Sequence, residues 1–164
     1  MVLPTMRRIL YATDLGDSAP RVFAQAVAMA RQFDAGIVFL HAIEPLGPTA
    51  QTLVHNMLPQ EQLQQLHSEG LAKLRSDIKQ RIDRFCLAEL GGAAEEGVED
   101  IRIVDGHPAE VIVEQARELA PDLIVMGTHS HPGLYRTLLG SVARKVVSRV
   151  ERPVLLVPIP EDVK

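Results

Sequence analysis

The sequence predicts an α/β protein whose five strands form an open, doubly wound parallel sheet with helices on both faces. Short apolar segments alternate strictly with segments of helical periodicity, in the order β-α-β-α-β-α-β-α-β. The predicted strands are strongly apolar, which is typical of parallel strands covered on both faces. The chain has 164 residues. This length suits one domain, so we expect residues 1–164 to form a single domain.

The first half of the chain begins with a strand, a helix and a second strand. Residues 9–13 are an apolar run bounded by turn residues, which is typical of a buried strand. Ser18 is placed to cap the helix that follows, Pro20 suits its first turn, and Gly36 is expected to end it. Residues 37–43 predict the second strand.

A loop and a long helix come next. Three prolines and a glycine predict an irregular loop over about residues 45–59. Helical spacing runs from residue 60 to about residue 90, although Gly70 within it disfavours an unbroken helix. Three apolar side chains near the start of this segment fit either a partner-binding face or core packing, and core packing is the favoured interpretation. They are Met57, Leu63 and Leu66.

The second half of the chain alternates in the same way. Its elements are a strand over residues 98–104, a helix opened by Gly106-His107-Pro108, a strand over 123–126, a polar connection over 127–139, a helix over 141–150 and a last strand over 154–157. The strand over 98–104 alternates polar and apolar residues, so we expect it at an edge of the sheet or with one wet face.

Composition and charge argue against several classes of protein. The formal charge is −4 and the pI is about 5.8, which gives no general reason to bind nucleic acid or an anionic membrane. The basic residues at positions 144, 145, 149 and 152 are better interpreted as a solvated helix face. Residues 1–8 contain no apolar core of signal-peptide length, and no window approaches eighteen uninterrupted apolar residues, so we expect a cytoplasmic protein. The lone Cys86 predicts a buried apolar side chain and no internal disulfide.

The residues after two of the predicted strands point to a ligand site. In an open doubly wound sheet, ligands bind beyond the carboxyl ends of the strands, where the strand order reverses. Asp14 follows the first strand, Gly127 follows the fourth, and Gly140-Ser141 opens the next helix. Glycines admit a phosphate close to the backbone, and a helix N-terminus offers unpaired N–H groups to it. Glycine is common in such turns, so the spacing alone leaves phosphate binding open.

These segments resemble the signature of the universal stress protein family. The resemblance rests on MGTHSHPGL at residues 126–134 and LLGSVA at residues 138–143. It extends to RILYATD at residues 8–14, which resembles the family's first strand, and RPVLLVP at residues 152–158, which resembles its last. The resemblance implies the sheet order 3-2-1-4-5 and a homodimer formed through the fifth strand.

The family's nucleotide-binding branch carries the motif G-x2-G-x9-G-[ST] and an aspartate after the first strand. The resemblance therefore implies an ATP site, or a site for another adenine nucleotide, with magnesium or manganese bound through the phosphates. Its implied residues fall into three groups. Asp14 and Ala42 would hold the adenosine part, Gly127, Gly140, Ser141 and Val142 the phosphates, and His129 would lie beside the triphosphate.

The chain departs from this motif at Ser130, which stands where the motif has its second glycine. A serine there is unfavourable if the position needs a positive φ, and helpful if its hydroxyl donates to phosphate. The alternative function is therefore a dimeric interaction module of the same fold with an empty pocket. Catalysis beyond slow ATP hydrolysis is not expected, because no phosphate-binding P-loop, cysteine nucleophile or HExxH pair is present.

The remaining polar candidates have simpler interpretations. His129 and His131 are too few for a metal site without a third ligand and are interpreted as solvated loop residues. His41 is expected to be a partly buried, hydrogen-bonded histidine, and His107 a capping or loop residue. Asp14 has the alternative of capping the helix after it or bonding the Gly127 loop.

Overall fold

The computed structural model describes residues 4–57, 60–91, 97–129 and 139–159. Within them, five parallel strands form one sheet in the order β3-β2-β1-β4-β5. The strands are β1 (Arg8–Thr13), β2 (Gly36–Ile43), β3 (Val98–Asp105), β4 (Leu123–Gly127) and β5 (Val154–Val157). The predicted fold class and strand order are confirmed, and the polar β3 lies at an edge as expected.

Helices cover both faces of this sheet. They are α1 (Ala19–Phe33), α2 (Pro48–Met57), α3 (Gln60–Leu90), α4 (Pro108–Leu119) and α5 (Ser141–Arg149). Side chains of α1 and of the second half of α3 pack on one face, and those of α4 and α5 pack on the other. None of the helices described is both long and apolar enough to cross a lipid bilayer.

The core on the α1–α3 face is built around aromatic rings. Tyr11 lies 4.9 Å from Phe39 and 5.1 Å from Phe23, measured between ring centroids, and Phe85 packs beside them. The Tyr11 hydroxyl donates to the Ala19 carbonyl at 3.1 Å, and burial raises the pKa of this phenol. Cys86 is buried in the same core, which confirms its predicted role, and burial raises the pKa of its thiol to about 11.

Two predictions about secondary-structure elements are wrong. The predicted loop over residues 45–59 contains α2, because Pro48 occupies the first helical position, where a missing N–H costs nothing. Helix α1 ends at Phe33 with Asp34 in the left-handed conformation, whereas Gly36 is already the first residue of β2. Ser18 stands at the N-cap of α1 as predicted, and its side chain makes no capping hydrogen bond.

Helix α3 is continuous through Gly70, and it ends before Gly91, which has a φ of 66°. Core packing is wrong for Met57, a residue that is 79% exposed. The side chains of Leu63 and Leu66 lie outside the described part of the chain.

Candidate functional site

At the carboxyl end of the sheet, β1 and β4 part from each other, and we call the gap between these two strand ends the crevice. Pairing of β1 with β4 ends at Tyr11 and Val125. Pairing of β1 with β2 continues to Thr13 and His41, and β4 with β5 continues to Gly127. The two central strands therefore part before they end. This is the point at which the strand order reverses, where the sequence predicted a ligand.

Asp14 lies in a tight turn on the β1 side of this crevice. Its Oδ1 accepts the Gly16 N–H at 2.9 Å, and the Leu15 N–H donates to Thr13 Oγ1 at 3.0 Å. Leu15 has a φ of 58°, a conformation that is sterically unfavourable for leucine. Asp14 thus stabilises its own turn rather than capping α1, and its side chain remains exposed.

The end of β2 adds Ala42 and His41 on opposite faces of the sheet. Ala42 packs against the core under α4 and α5. His41 Nδ1 donates to the Thr13 carbonyl at 2.9 Å, since a carbonyl oxygen can only accept. The expected partly buried, hydrogen-bonded His41 is confirmed.

Gly127 ends β4 beneath the chain segment that follows β5. A Cβ at Gly127 would lie 2.8 Å from Ile159 Cδ1 and 3.5 Å from Val22 Cγ2. The Thr128 N–H donates to the Val157 carbonyl at 3.1 Å, and Thr128 Oγ1 accepts the Ile159 N–H at 3.3 Å. The absent side chain at Gly127 therefore makes room for the protein's own C-terminal segment.

His129 follows this anchored threonine. Its Nδ1 is shielded from solvent and has no hydrogen-bond partner among the described residues. The expectation of a solvated loop histidine is wrong for this atom, because the start of α5 passes close to the His129 backbone. Ser130 and His131 lie outside the described residues, so the predicted role of Ser130 stays a prediction.

The N-terminus of α5 lies directly beside the end of β4. The Gly140 N–H donates to the Thr128 carbonyl at 2.9 Å, and a Cβ at Gly140 would lie 2.7 Å from that same oxygen. The Gly140 carbonyl accepts the Arg144 N–H at 2.9 Å. By helix geometry, the three N–H groups of residues 141–143 precede this first helical bond. No side chain of the described residues caps them, and Ser141 is exposed.

The structure thus brings Asp14, Ala42, Gly127, His129 and Gly140–Val142 together at the carboxyl end of the sheet. Sequence reasoning missed the residue that holds the β1 turn from outside, Arg81 on α3, whose Nη2 donates to the Leu15 carbonyl at 2.6 Å. No local pattern indicates a contact across 66 residues.

Other polar groups near the strand ends form separate contacts. His107 stands at the N-cap of α4 without a side-chain capping bond, and its Nδ1 lies 3.7 Å from Glu44 Oε1. Arg149 pairs with Glu110 and lowers the pKa of that carboxyl. In residues 4–57, 60–91, 97–129 and 139–159, no cluster of three His, Cys, Asp or Glu side chains is arranged to hold a metal ion.

Solved structures with the same fold include universal stress proteins. Protein MJ0577 of Methanocaldococcus jannaschii has a TM-score of 0.74 and 24% identity, covering 97% of this chain and 100% of that one. A universal stress protein solved in complex with cAMP has a TM-score of 0.57 and 23% identity, covering 94% and 98%. At these identities the likeness establishes the fold alone.

Comparison of sequences finds relatives with higher identity to this chain. Universal stress protein MJ0531 of Methanocaldococcus jannaschii is 32% identical over 157 residues, which cover 94% of this chain and 84% of the relative. A universal stress protein of Thermus aquaticus is 33% identical over 153 residues, covering 92% and 98%. The family's sequence profile matches residues 5–158. This chain belongs to the universal stress protein family.

Proposed function

We propose that this protein binds an adenine nucleotide, with ATP as the first candidate, in the crevice between β1 and β4. The observation that carries the proposal is the early parting of the two central strands beside a helix N-terminus. In open doubly wound sheets ligands bind at such a position, and the helix N-terminus offers positive backbone dipoles to phosphates. The nucleotide would act as a ligand or switch in a stress response rather than as the substrate of a fast reaction.

The phosphates are assigned to the first turn of α5. The N–H groups of residues 141–143 have no intrahelical acceptor, and the Ser141 hydroxyl is exposed beside them. Gly140 contributes differently from the sequence-based expectation, since its own N–H is already bonded to Thr128. It would act by bringing α5 close to the end of β4.

The adenosine part is assigned to the ends of β1 and β2, near Asp14 and Ala42. Asp14 is exposed and ionisable, and a carboxylate is an acceptor for ribose hydroxyls. The related protein solved with cAMP supports an adenine nucleotide as the class of ligand. In the sequence, His129 lies between the residues proposed to hold the adenosine part and those proposed to hold the phosphates. Its side chain, with the shielded Nδ1, is proposed to lie beside the phosphates.

Magnesium or manganese would accompany ATP through phosphate oxygens. Among the site residues described, Asp14 is the one carboxylate, and magnesium generally keeps its waters and bridges phosphates in such sites. Calorimetry with MgCl₂ alone is expected to give no binding heat, whereas MgCl₂ is expected to tighten ATP binding. Tight magnesium binding by the nucleotide-free protein would contradict this assignment.

Two measurements test nucleotide binding. The first is the nucleotide content released on denaturing the purified protein. The second is an ATP titration of the wild type, Ser141→Ala and Ser148→Ala. Ser148 is a matched control in α5, because its hydroxyl donates to the Lys145 carbonyl at 2.9 Å in the last turn. Ser141→Ala is expected to weaken ATP binding by about 1–2 kcal/mol, the scale of one charged hydrogen bond, and Ser148→Ala to leave it unchanged.

A wild type that neither retains nor binds an adenine nucleotide would overturn the proposal. The second candidate function, a dimeric interaction module, would then be the favoured one.

We propose a homodimer formed through β5 in either case. β5 is an edge strand made of apolar residues, and the opposite edge strand, β3, carries the exposed Glu99 and Asp100. Charges discourage pairing of a sheet edge, whereas an apolar edge favours it. Two copies related by a two-fold axis would pair their β5 strands antiparallel.

A further inference from the structure

We propose that Arg81 is a positioning residue that fixes the Asp14 turn for nucleotide binding. The inference rests on the function proposed above and adds to it a residue outside the crevice. Arg81 lies on α3, and its Nη2 donates to the Leu15 carbonyl at 2.6 Å. Leu15 directly follows Asp14, so a contact at Leu15 acts on the direction of the Asp14 carboxylate.

The turn needs such a contact because its backbone is unfavourable on its own. Leu15 has a φ of 58°, in the left-handed region that a side chain with a Cβ rarely adopts. A backbone in this region persists only where its surroundings hold it. The two local bonds, from Leu15 N–H to Thr13 Oγ1 and from Gly16 N–H to Asp14 Oδ1, close the turn from within.

Three contacts hold the turn from outside. The Leu15 side chain is buried against the α1–α3 core, His41 donates to the Thr13 carbonyl, and Arg81 donates to the Leu15 carbonyl. His41 fixes the end of β1, before the turn. Of these three outside contacts, the one from Arg81 is the hydrogen bond to the backbone of the left-handed residue itself.

The position of Arg81 makes it a firm support. The next residue, Ile82, is fully buried in the core, and Cys86 is buried one turn later. Their packing fixes the backbone from which Arg81 extends. A cleft of about 580 Å³ lies between this part of α3 and the turn, lined by Leu15, Gly16, Arg81 and Phe85 among others. Arg81 reaches the turn beside this cleft with a charged hydrogen bond, which is stronger than a bond between neutral groups.

The test compares Arg81→Leu with Arg81→Lys and with a matched control, Arg84→Leu. Arg84 lies one turn further along α3 beside the same cleft, but its Nε donates to the Gln80 carbonyl of its own helix. ATP titration is expected to give about tenfold weaker binding for Arg81→Leu. Arg81→Lys, which keeps a charged donor, should recover part of the loss, and Arg84→Leu should bind as the wild type does.

A second readout needs no nucleotide. The Gly16 amide is bonded to Asp14, so its NMR signal and its hydrogen exchange report the turn directly. In the ligand-free protein, Arg81→Leu should move this signal and speed its exchange, whereas Arg84→Leu should change neither. A Gly16 amide that is unchanged in Arg81→Leu would overturn the positioning role, whether or not ATP binds.

The outcomes separate this inference from the proposed function. A wild type that binds ATP, with Arg81→Leu binding equally well, overturns the role of Arg81 and leaves the proposed function in place. A wild type that binds no ATP overturns the proposed function and, with it, the nucleotide role of Arg81. Equal losses in Arg81→Leu and Arg84→Leu would indicate general damage to α3 and would also overturn the inference.

Discussion

Gly140 lies where the chain passes within contact distance of its own backbone. Its φ is −56°, which any residue can adopt, so conformational freedom does not explain the glycine. The reason is space, because a Cβ would lie 2.7 Å from the Thr128 carbonyl oxygen and 3.2 Å from His129 Cα. A larger residue would destabilise the fold even in the absence of a ligand. A loss of ATP binding caused by a substitution at this position therefore has to be compared with the stability of the variant.

Gly140→Ala is expected to lower the free energy of unfolding by about 1–3 kcal/mol, the scale of overpacking against fixed backbone. Gly47→Ala is the matched control. Gly47 also precedes a helix and accepts that helix's first bond, from the Gln51 N–H, yet a Cβ there would meet nothing within 4 Å. Urea unfolding of both variants measures the difference. Equal effects at Gly47 and Gly140 would show that capping, and not the close approach, governs this position.

Asp122 joins the start of β1 to the start of β4. Its Oδ2 accepts the N–H of Arg7 at 2.7 Å and of Arg8 at 3.0 Å. These backbone hydrogen bonds, with the nearby Arg152 charge, lower the pKa of the Asp122 carboxyl. A lowered folded-state pKa means that the carboxylate stabilises the fold above its unfolded pKa of about 4. That stabilisation is lost as the pH falls toward the folded-state value.

Asp122→Asn is expected to lower the free energy of unfolding at pH 7 by about 1–3 kcal/mol, since one charged acceptor serves two donors. The difference from the wild type should shrink as the pH falls below about 4, because the wild-type carboxyl then becomes neutral too. Asp77→Asn, at an exposed position on α3, serves as the control. Denaturant unfolding between pH 7 and pH 3 measures both. A difference that stays constant across this range would contradict the linkage.

At the scale of single elements, α3 has two unequal halves. Its second half places Ile82 and Cys86 in the core and packs Ile78 and Phe85 against it. In the first half, the side chains that the structure describes are exposed up to Gly70. Core packing therefore fixes the second half, whereas the first half depends more on its intrinsic helix propensity.

Gly70→Ala is expected to stabilise the first half of α3. Alanine favours a helix over glycine by about 1 kcal/mol, and a Cβ at Gly70 would meet nothing within 4 Å. Hydrogen exchange of amides near residue 70 should slow by about fivefold, with a smaller change in the amides around Ile82. Unchanged exchange near residue 70 would mean that contacts, not propensity, already hold this half.

At the scale of the whole molecule, the two sheet edges differ in what they offer another chain. Pro153 and Val157 accept the N–H groups of Ile124 and Thr128, both on the β4 side. The backbone groups of the residues in alternation with them, Val154 and Leu156, therefore point away from β4. These outward groups and the apolar side chains of β5 are what a second copy would pair with.

The wild type is expected to have about twice the monomer mass of 18.0 kDa at tens of micromolar. Val154→Pro removes one outward N–H without removing a bond to β4, so it should shift the protein toward the monomer. Sedimentation velocity measures the mass, and circular dichroism checks the fold. A monomeric wild type, or a Val154→Pro dimer as stable as the wild type's, would contradict pairing through β5.

The sequence by itself determined the fold and indicated the end of the sheet where the candidate site lies. Burial imposes local periodicities, so apolar runs and helical spacing located the strands and most of the helices. Glycine-bearing segments after the first and fourth strands identified the strand ends that the structure brings together. Among the helices that the structure describes, the one missed is α2, which begins at Pro48, where a residue typical of loops also fits the first turn of a helix.

Only the tertiary structure decided how these segments are held. The hydrogen bond from Arg81 to Leu15 joins residues that lie 66 positions apart in the sequence. The hydrogen bonds that Asp122 accepts from the start of β1 join residues more than a hundred positions apart. The tertiary structure also showed that Gly127 makes room for Ile159, and that Gly140 allows α5 to approach Thr128. A sequence pattern records which residues lie near each other along the chain. Contacts between distant segments depend on how the sheet and helices pack, so they appear only once the chain is folded.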